Sequence, residues 1–415
     1  MHIVTTASLP WMTGTSVNPL LRAAYLHDRL EIINNKHNNN NNKSNQNKKD
    51  KYDTANNNTN TTRSSYVTLV IPWLELPEDQ KQLYNGRVFN STKEQEEYVR
   101  DWLLNSANMD HASQNLNIVF YNARYHSDLG SVFAMGDIIQ ALPQDEPLDV
   151  CVLEEPEHVN WFRAPGQGWT KRYNYVVGIV HTNYDQYMKQ HYSGLWSAPA
   201  IRLISAAMVR AYCHKVIKLS DVVQEFAPEK EITSNVHGVR QEFINMPMPI
   251  PIPMPVYYIG KLLWTKGLDL LLEYEEYYKE ISGNYFAIDV YGSGPDQLDI
   301  SRAFLGRDAA QRTRANITQY KVFVNPSVSE VLCTTTAEAL AMGKFAIIPV
   351  HPSNQFFLRF PNCLGYRNPL EFVANLQWAL THDPTPLTDK VAREFTWEAA
   401  TDRFLEASSI THREA

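Results

Sequence analysis

The segment VYYIGKLLWTKGLDLLL, residues 256–272, predicts the fold of this chain. It begins with four apolar, β-prone residues, continues through a turn between Gly260 and Gly267, and ends in leucines at helical spacing. A strand, a loop and an amphipathic helix in this order form one unit of an α/β sheet. Lys261 and Lys266 place two cations in the loop, at the edge where such sheets bind ligands.

The next apolar strand ends in a second loop, which is rich in glycine. It lies in FAIDVYGSGPD, residues 286–296, and runs into Gly292 and Gly294, which predict a close approach of backbone to a ligand. Open α/β sheets bind ligands beyond the carboxyl ends of their strands. This loop and the lysine loop are therefore expected to share one site.

A third loop and a helix follow in NPSVSEVLCTTTAEALAM, residues 325–342, where Glu330 and Glu338 lie eight positions apart. Threonines at 334–336 predict the helix start, and Gly343 predicts its end. A helix N-terminus attracts anions, and a carboxylate in the first turns can accept hydrogen bonds from the hydroxyls of a ribose. The arrangement suits a sugar nucleotide, although exposed helical glutamates often have no function.

Together, the three loops resemble the donor-binding domain of retaining nucleotide-sugar glycosyltransferases with the GT-B architecture. That family has a G-[KR]-x4-K-G turn, a G-x-G turn and two acidic residues with seven between them. The matching residues here are Gly260, Lys261, Lys266, Gly267, Gly292, Gly294, Glu330 and Glu338. The resemblance implies an α/β protein with two Rossmann-like, doubly wound domains that face each other across a cleft.

Longer strings in both halves resemble digalactosyldiacylglycerol synthases. They include HIVTTASLPWMTGTSVNPLLRAAYL (2–26), VLEEPEHVNWF (152–162), VVGIVHTNY (176–184) and CTTTAEALAMGK (333–344). The resemblance implies a hexosyltransferase that moves galactose from UDP-galactose onto monogalactosyldiacylglycerol with retention, in galactolipid biosynthesis. It also implies a peripheral protein on the cytosolic face of the plastid (chloroplast) outer envelope, with a galactolipid acceptor as its partner.

The resemblance also implies a role for each matching residue. Lys261 and Lys266 would stabilise the departing diphosphate in place of a metal ion, so neither a cofactor nor a metal site is expected. Glu338 would bind the ribose and Glu330 the hydroxyls of the transferred sugar, although relatives often carry Asp at the first position. His181 would contact the sugar or the reaction centre, but a histidine after a buried strand is as often a core residue. The other donor-binding residues would be Gly260, Gly292, Gly294, Thr335 and Thr336.

Three residues of the N-terminal half are candidates for the acceptor side. They are Gly14, in the turn after the first strand, and Glu155 and His158 in EEPEH (154–158). The alternative for EEPEH is that most of its charged groups are only solvated loop residues. No carboxylate stands out as a covalent nucleophile, which favours displacement on the same face, guided by the diphosphate.

The composition is that of a folded protein without basic character. Its 415 residues suffice for two domains, its 44% hydrophobic content supports two cores, and its net charge of -7 argues against a nucleic-acid partner. Four scattered cysteines without a C-x-x-C pair predict reduced thiols, neither disulfides nor zinc ligands. No apolar run is long enough to cross a bilayer, and a first strand at residues 3–6 is expected to leave no room for a cleavable leader.

Composition also predicts the domain boundaries. Residues 1–245 are expected to form the N-terminal, acceptor-side domain, with a disordered Asn-rich insert at 34–63. Five prolines in 246–255 predict a stiff linker. Residues 256–385 would then form the nucleotide-sugar domain, and 386–415 would include a helix that returns to the N-terminal domain.

Two segments are candidates for membrane contact because they mix aromatic rings with cations. The second segment is a helix predicted for 195–218. For both segments, the alternative is ordinary core packing with a solvated face. The first segment contains Trp161, Phe162, Arg163, Trp169, Lys171 and Arg172.

One segment departs from the family pattern. Between Gly294 and Tyr320 the chain is too short for a helix, a strand and a second helix, so one element is predicted to be missing. Its loss would damage the wall of the donor site. Two alternatives therefore stay open: a catalytically weak paralogue that binds lipid or nucleotide as a scaffold, and a transferase of the same fold that uses a soluble acceptor.

Overall fold

The computed structural model describes two compact units. By Cα packing, they are Met1–Gly178 with Ala211–His214, and Ile179–Arg210 with Lys215–Ala415. The described residues are 1–46, 67–142, 148–160, 168–182, 197–244, 256–307, 309–312 and 317–410. The predicted proline linker, 246–255, lies outside them.

The first sheet has eight strands. They are β1 (His2–Val4), β2 (Thr68–Leu74), β3 (Asn117–His126), β4 (Ser131–Ala134), β5 (Leu148–Glu154), β6 (Tyr173–Val180), β7 (Lys215–Lys218) and β8 (Glu231–Thr233). Their order is β4-β3-β2-β1-β5-β6-β7-β8. β1 runs parallel to β2 and β5, whereas the edge strand β4 is antiparallel to β3. Ile3 pairs with Leu69 and Val152, and all three are buried, as expected for a central parallel strand with both faces covered.

Seven helices accompany this part of the described chain. They are α1 (Gly14–Gln46), α2 (Pro77–Leu83), α3 (Thr92–Asn105), α4 (Asp110–Asn115), α5 (Pro156–Val159), α6 (Trp169–Arg172) and α7 (Ser197–Tyr212). α1 starts at Gly14 and continues into the Asn-rich tract as far as Gln46. Once a helix is nucleated, extending it by one residue costs little, so part of the tract predicted as disordered is helical. The rest of the insert lies outside the described residues.

The second sheet has six strands and carries the predicted donor site. They are β9 (Val256–Ile259), β10 (Ile288–Tyr291), β11 (Ala309–Arg312), β12 (Val322–Val324), β13 (Phe345–Pro349) and β14 (Cys363–Tyr366). All neighbours are parallel, in the order β11-β10-β9-β12-β13-β14. This is the 3-2-1-4-5-6 order of a Rossmann sheet, which confirms the predicted fold class for this unit. The order reverses between β9 and β12, so the switch point lies beside the lysine loop.

Helices cover both faces of this sheet. They are α8 (Leu268–Ser282), α9 (Gln297–Ala303), α10 (Thr334–Ala341), α11 (Pro369–Thr381), α12 (Asp389–Phe395) and α13 (Trp397–Ala407). Val256 and Tyr258 belong to one hydrophobic core with residues of α8 and α11, whereas Tyr257 belongs to another with residues of α10. Alternate side chains of one strand therefore enter opposite cores, which is why β9 reads as a continuous apolar run.

Segment 294–320, which is predicted to lack one element, does contain the strand of the repeating α/β unit. Its described residues contain both α9 and the edge strand β11, which pairs in parallel with β10. Between β11 and β12 they contain only a 3₁₀ turn, Ile317–Gln319. The shortening therefore affects the connection after β11.

The last helix, α13, packs against residues 235–239. The side chain of Arg403 donates to the carbonyl oxygens of Asn235 and His237. A Cβ at Gly238 would lie 2.6 Å from the backbone nitrogen of Trp397, so glycine is required there. Residues 235–239 belong to the predicted N-terminal domain, but α13 and these residues share one compact unit here.

Candidate active site

The loops after β9 and β10 pack backbone against backbone. The N–H of Leu262 donates to the carbonyl of Ser293 over 3.0 Å. A Cβ at Gly292 would lie 1.8 Å from the Gly260 carbonyl oxygen, and one at Gly294 would lie 2.3 Å from the Leu262 carbonyl oxygen. The glycines of the G-x-G turn are therefore required by the neighbouring loop. From the sequence, these glycines are expected because they let the backbone approach a ligand closely. The structure gives a different reason, the packing of the two loops, and the predicted ligand contact stays a prediction.

The loop after β12 joins the other two at Gly267. This residue has a φ of +79°, and a Cβ on it would lie 2.6 Å from the Pro326 carbonyl oxygen. On its other side, the N–H of Trp264 donates to a carboxylate oxygen of Asp296 over 2.9 Å. The three loops that the sequence places at one sheet edge therefore meet within the second unit.

Two lysines and a glutamate lie on these loops. Lys266 Nζ is 2.8 Å from Glu330 Oε1, and both side chains are about one quarter exposed. Burial of its ammonium, with repulsion from Lys266, lowers the pKa of Lys261, although part of this side chain stays exposed. Among the described residues, no carboxylate lies within salt-bridge distance of Lys261. This site therefore offers one cation that a bound anion can pair with directly.

The loop that carries Glu330 is held by residues that the sequence does not indicate. The N–H of Ser327 donates to the side-chain oxygen of Asn325 over 3.1 Å, which forms an Asx turn. Ser220, just after β7, donates its hydroxyl to the carbonyl of Val331. Nothing in the sequence pairs Ser220 with residue 331.

Glu338 lies half-buried on α10. Burial raises the pKa of its carboxyl from 4.5 to about 7, while the guanidinium of Arg240 lowers it and Glu242 raises it. No group in the described part of the chain donates a hydrogen bond to this carboxyl. An unsatisfied carboxyl of this kind gains free energy when hydroxyl donors reach it, as the vicinal hydroxyls of a ribose would. Arg240 is a neighbour of the site that the sequence does not indicate.

The N-terminus of α10 differs from the prediction. Cys333, and not a threonine, is the N-cap, and its side chain makes no capping hydrogen bond. Burial and the nearby Glu330 raise the pKa of the Cys333 thiol to about 11, so it stays neutral. Thr336 is fully buried and its hydroxyl accepts from the Asn325 amide over 3.4 Å, and its predicted donor contact stays a prediction. Thr335 is half-buried and its hydroxyl lies 3.1 Å from the Cys333 sulfur.

His181, directly after β6, belongs to a different aromatic cluster of the second unit. Its ring centroid lies 4.9 Å from that of His237, which in turn lies 6.2 Å from that of Trp397. The side chain of His181 is half-buried. The predicted contact of His181 with the sugar stays a prediction.

The EEPEH loop of the first unit is buried, so the reading of its charges as solvated is wrong. Arg22 Nε lies 2.7 Å from Glu154 Oε1, and both side chains are 1% exposed. Glu155 has a left-handed φ of 62° and accepts a hydrogen bond from the Thr6 hydroxyl over 2.8 Å. His158 Nδ1 is 3.6 Å from the same carboxylate. The fold uses these charges to join β1, α1 and β5.

Two further residues complete this region. Burial and the neighbouring Glu155 raise the pKa of Glu157 well above its usual value. Gly14 is exposed, and a Cβ on it would approach Asn18 no closer than 3.4 Å. Packing therefore does not require glycine at position 14, and its acceptor-side role stays a prediction.

The first candidate membrane segment is only partly described. Trp161, Phe162 and Arg163 lie outside the described residues. Trp169 is fully buried and donates its indole N–H to Asn160 over 2.8 Å, so its predicted membrane contact is wrong. Lys171 is exposed.

The second candidate segment is shorter than predicted, because α7 ends at Tyr212 and Lys215 and Lys218 lie on β7. Within the described part of the chain, no helix combines the length and apolarity needed to span a membrane.

Known proteins with similar sequences are galactolipid synthases. The chain is 41% identical to digalactosyldiacylglycerol synthase 2, chloroplastic, of Arabidopsis thaliana over 429 residues, covering 98% of this chain and 81% of that protein. The chain belongs to the digalactosyldiacylglycerol synthase family. It is also 40% identical to synthase 1, chloroplastic, of the same plant, covering 98% of this chain and 47% of that protein. The chain thus spans about half the length of the synthase 1 relatives. No family model matches it.

Solved structures agree on the fold. Over 98% of this chain, a lipopolysaccharide outer core galactosyltransferase superposes with a TM-score of 0.52 at 11% identity and 98% coverage of that protein. A trehalose-6-phosphate protein from E. coli bound with UDP-2-fluoro glucose gives a TM-score of 0.52 at 9% identity, covering 99% of both chains. These likenesses show the GT-B fold for this member of the digalactosyldiacylglycerol synthase family.

Proposed function

We propose that the chain is a retaining galactosyltransferase that moves galactose from UDP-galactose onto monogalactosyldiacylglycerol and forms digalactosyldiacylglycerol. The observation that carries the proposal is the meeting of three loops at the switch point of the second sheet, with Lys261 and Glu338 left without a hydrogen-bonding partner among the described residues. A cation and a carboxyl without partners suit the two polar ends of a nucleoside diphosphate. The names of the relatives supply the sugar and the acceptor.

The residues divide the work by charge. Departure of the diphosphate builds negative charge, which Lys261 and Lys266 stabilise without a metal ion. Glu338 accepts hydrogen bonds from the ribose hydroxyls. Glu330 accepts from hydroxyls of the transferred galactose and, through its 2.8 Å contact, keeps Lys266 in place.

The acceptor and the membrane surface are parts of the same proposal. The relatives are named chloroplastic, and we place the chain on the cytosolic face of the plastid outer envelope as a peripheral protein. Anionic headgroups favour that position if cations such as Lys171 and Arg172 reach them, at about 1 kcal/mol for each.

The test is transfer from radiolabelled UDP-galactose to defined vesicles of monogalactosyldiacylglycerol by the purified chain. Thin-layer chromatography should show a digalactolipid, and NMR of the new anomeric proton should show an α linkage. A β linkage would refute retention. A labelled soluble galactoside would favour the soluble-acceptor alternative, and UDP binding without any transfer would favour the scaffold.

A further inference from the structure

A cluster of two histidines and two carboxylates joins α1 to α4 in the first unit. His27, Asp28 and Glu31 lie on α1, and His111 lies on α4. His27 Nδ1 is 3.2 Å from Asp28 Oδ1, and His111 Nδ1 is 2.9 Å from the same oxygen. One ligand atom from each of these three residues lies within 4.8 Å of the other two. None of these residues has a part in the proposed transfer.

The separations fit a common metal ion. Nitrogen and oxygen ligands bind zinc at about 2.0–2.2 Å, which sets tetrahedral ligands roughly 3.3 Å apart. The two measured contacts are close to that value. The imidazole rings are tilted by 34° to each other with centroids 5.3 Å apart, and each places its Nδ1 within 3.2 Å of the same Asp28 oxygen.

Glu31 provides a second, independent indication. Its Oε2 lies 2.7 Å from His111 Nε2, the ring nitrogen that does not face Asp28. A histidine that binds a metal usually donates its other N–H to a carboxylate, which fixes the tautomer and the ring orientation. Burial adds to this arrangement, because His27 is only 4% exposed.

We propose that His27, Asp28 and His111 bind one divalent transition-metal ion of the zinc class, with Glu31 orienting His111. Imidazole ligands favour zinc, nickel or copper over magnesium and calcium, which prefer oxygen ligands alone. The ion cross-links α1 to α4 and stabilises the first unit. The alternative is a set of hydrogen bonds and ion pairs in which a protonated His111 bridges Asp28 and Glu31.

Zinc binding to the purified full chain separates the two. After treatment with a chelator and buffer exchange, the chain is titrated with Zn²⁺, and bound zinc is measured by elemental analysis after gel filtration. We expect one Zn²⁺ per chain. His27→Gln, Asp28→Asn and His111→Gln should each lower zinc affinity by at least about 100-fold, and Glu31→Gln by about 10- to 100-fold. His126→Gln, an exposed histidine of the same unit, is the matched control and should bind like the wild type.

Thermal melting gives the second readout. At a zinc concentration about 100 times the dissociation constant, the transition of the wild type should rise by several degrees, and that of Asp28→Asn should not move. Asn has the shape of Asp, so this variant serves if a histidine variant fails to fold. The proposal is overturned if zinc does not bind, or if the His27→Gln/His111→Gln chain binds it equally well.

Discussion

The EEPEH loop and the switch-point loops both carry charged side chains, but the two regions differ in whether these side chains are buried and have hydrogen-bonding partners. In the first unit, Glu154 and Glu155 are buried and accept from Arg22 and Thr6. In the second, Lys261 and Glu338 reach solvent and have no hydrogen-bonding partner within the described residues. A charged side chain that the fold buries and pairs therefore has a structural role and is costly to leave without its partner, whereas one left unsatisfied at a loop edge indicates binding.

The largest expected effect is on stability and tests the first half of this comparison. Arg22→Met leaves Glu154 charged and buried, which should lower the free energy of unfolding by about 3–5 kcal/mol. Denaturant unfolding measures it. Adding Glu154→Leu to Arg22→Met should recover much of the loss, because the isolated charge is removed. A loss below about 1 kcal/mol in the single variant would mean that the pair is hydrated and the comparison fails.

The next effect is on turnover and tests the second half. Lys261→Ala and Lys266→Ala should each cost about 2–4 kcal/mol of transition-state stabilisation, a fall of roughly 30- to 1000-fold in kcat. Unfolding should change little, because neither lysine is fully buried. Steady-state kinetics with UDP-galactose measures the fall, and Lys390→Ala, an exposed lysine of α12, is the control. Unchanged turnover in both variants would remove the lysines from the mechanism.

A smaller effect concerns the pH dependence of Glu338. The pKa of its carboxyl in the folded chain is raised from 4.5 to about 7. Glu338 therefore leaves the free energy of unfolding unchanged below pH 4.5 and lowers it increasingly as the pH rises, with the full effect above about pH 7. At about 1.4 kcal/mol per pH unit, the penalty reaches about 3 kcal/mol at most. Glu338→Gln should therefore be more stable than the wild type at pH 8 and equally stable at pH 4. Thermal melting across this range measures the difference.

The use of UDP-galactose should also depend on the ionisation of Glu338, but here the ionised carboxylate is the favourable form. A ribose hydroxyl donates to the ionised carboxylate, so kcat/KM for UDP-galactose should fall as the pH drops below about 7. In Glu338→Gln it should be low, and this inflection should be absent. An inflection that survives in the variant would assign the titration to another residue.

The smallest expected effect is that of a chelator on turnover. In the proposed mechanism, lysines and not a metal ion stabilise the negative charge of the diphosphate. Excess EDTA should therefore leave the initial rate unchanged below the melting temperature. If the α1–α4 ion is removed, only the melting temperature should fall. A rate that EDTA abolishes and a divalent cation restores, also in the His27→Gln/His111→Gln chain, would overturn metal-free catalysis.

The sequence predicted what depends on neighbours along the chain. β9, its loop and α8 were predicted because apolar runs, glycines and helical spacing are local signals, and parallel strands bring their loops to one edge. The sequence did not predict features that depend on contacts between residues far apart in the chain. Trp169 looks like a membrane anchor, yet it is buried against Asn160, and Thr336 looks like a helix cap, yet it is buried beside Asn325. Arg240 could not be predicted as a neighbour of Glu338, because folding brings them together from 98 positions apart.

The close packing of Gly292 against the Gly260 carbonyl has a practical consequence for engineering sugar specificity. A side chain at this position would overlap the Gly260 carbonyl, and the φ of +136° excludes most L-residues in any case. Random libraries at 292 or 294 would consist mainly of unfolded proteins, and their inactivity would say nothing about the donor. Val328 is 40% exposed on the loop of Glu330, so a new side chain there should meet no buried neighbour, and this is the better place to search for enzymes that accept another sugar.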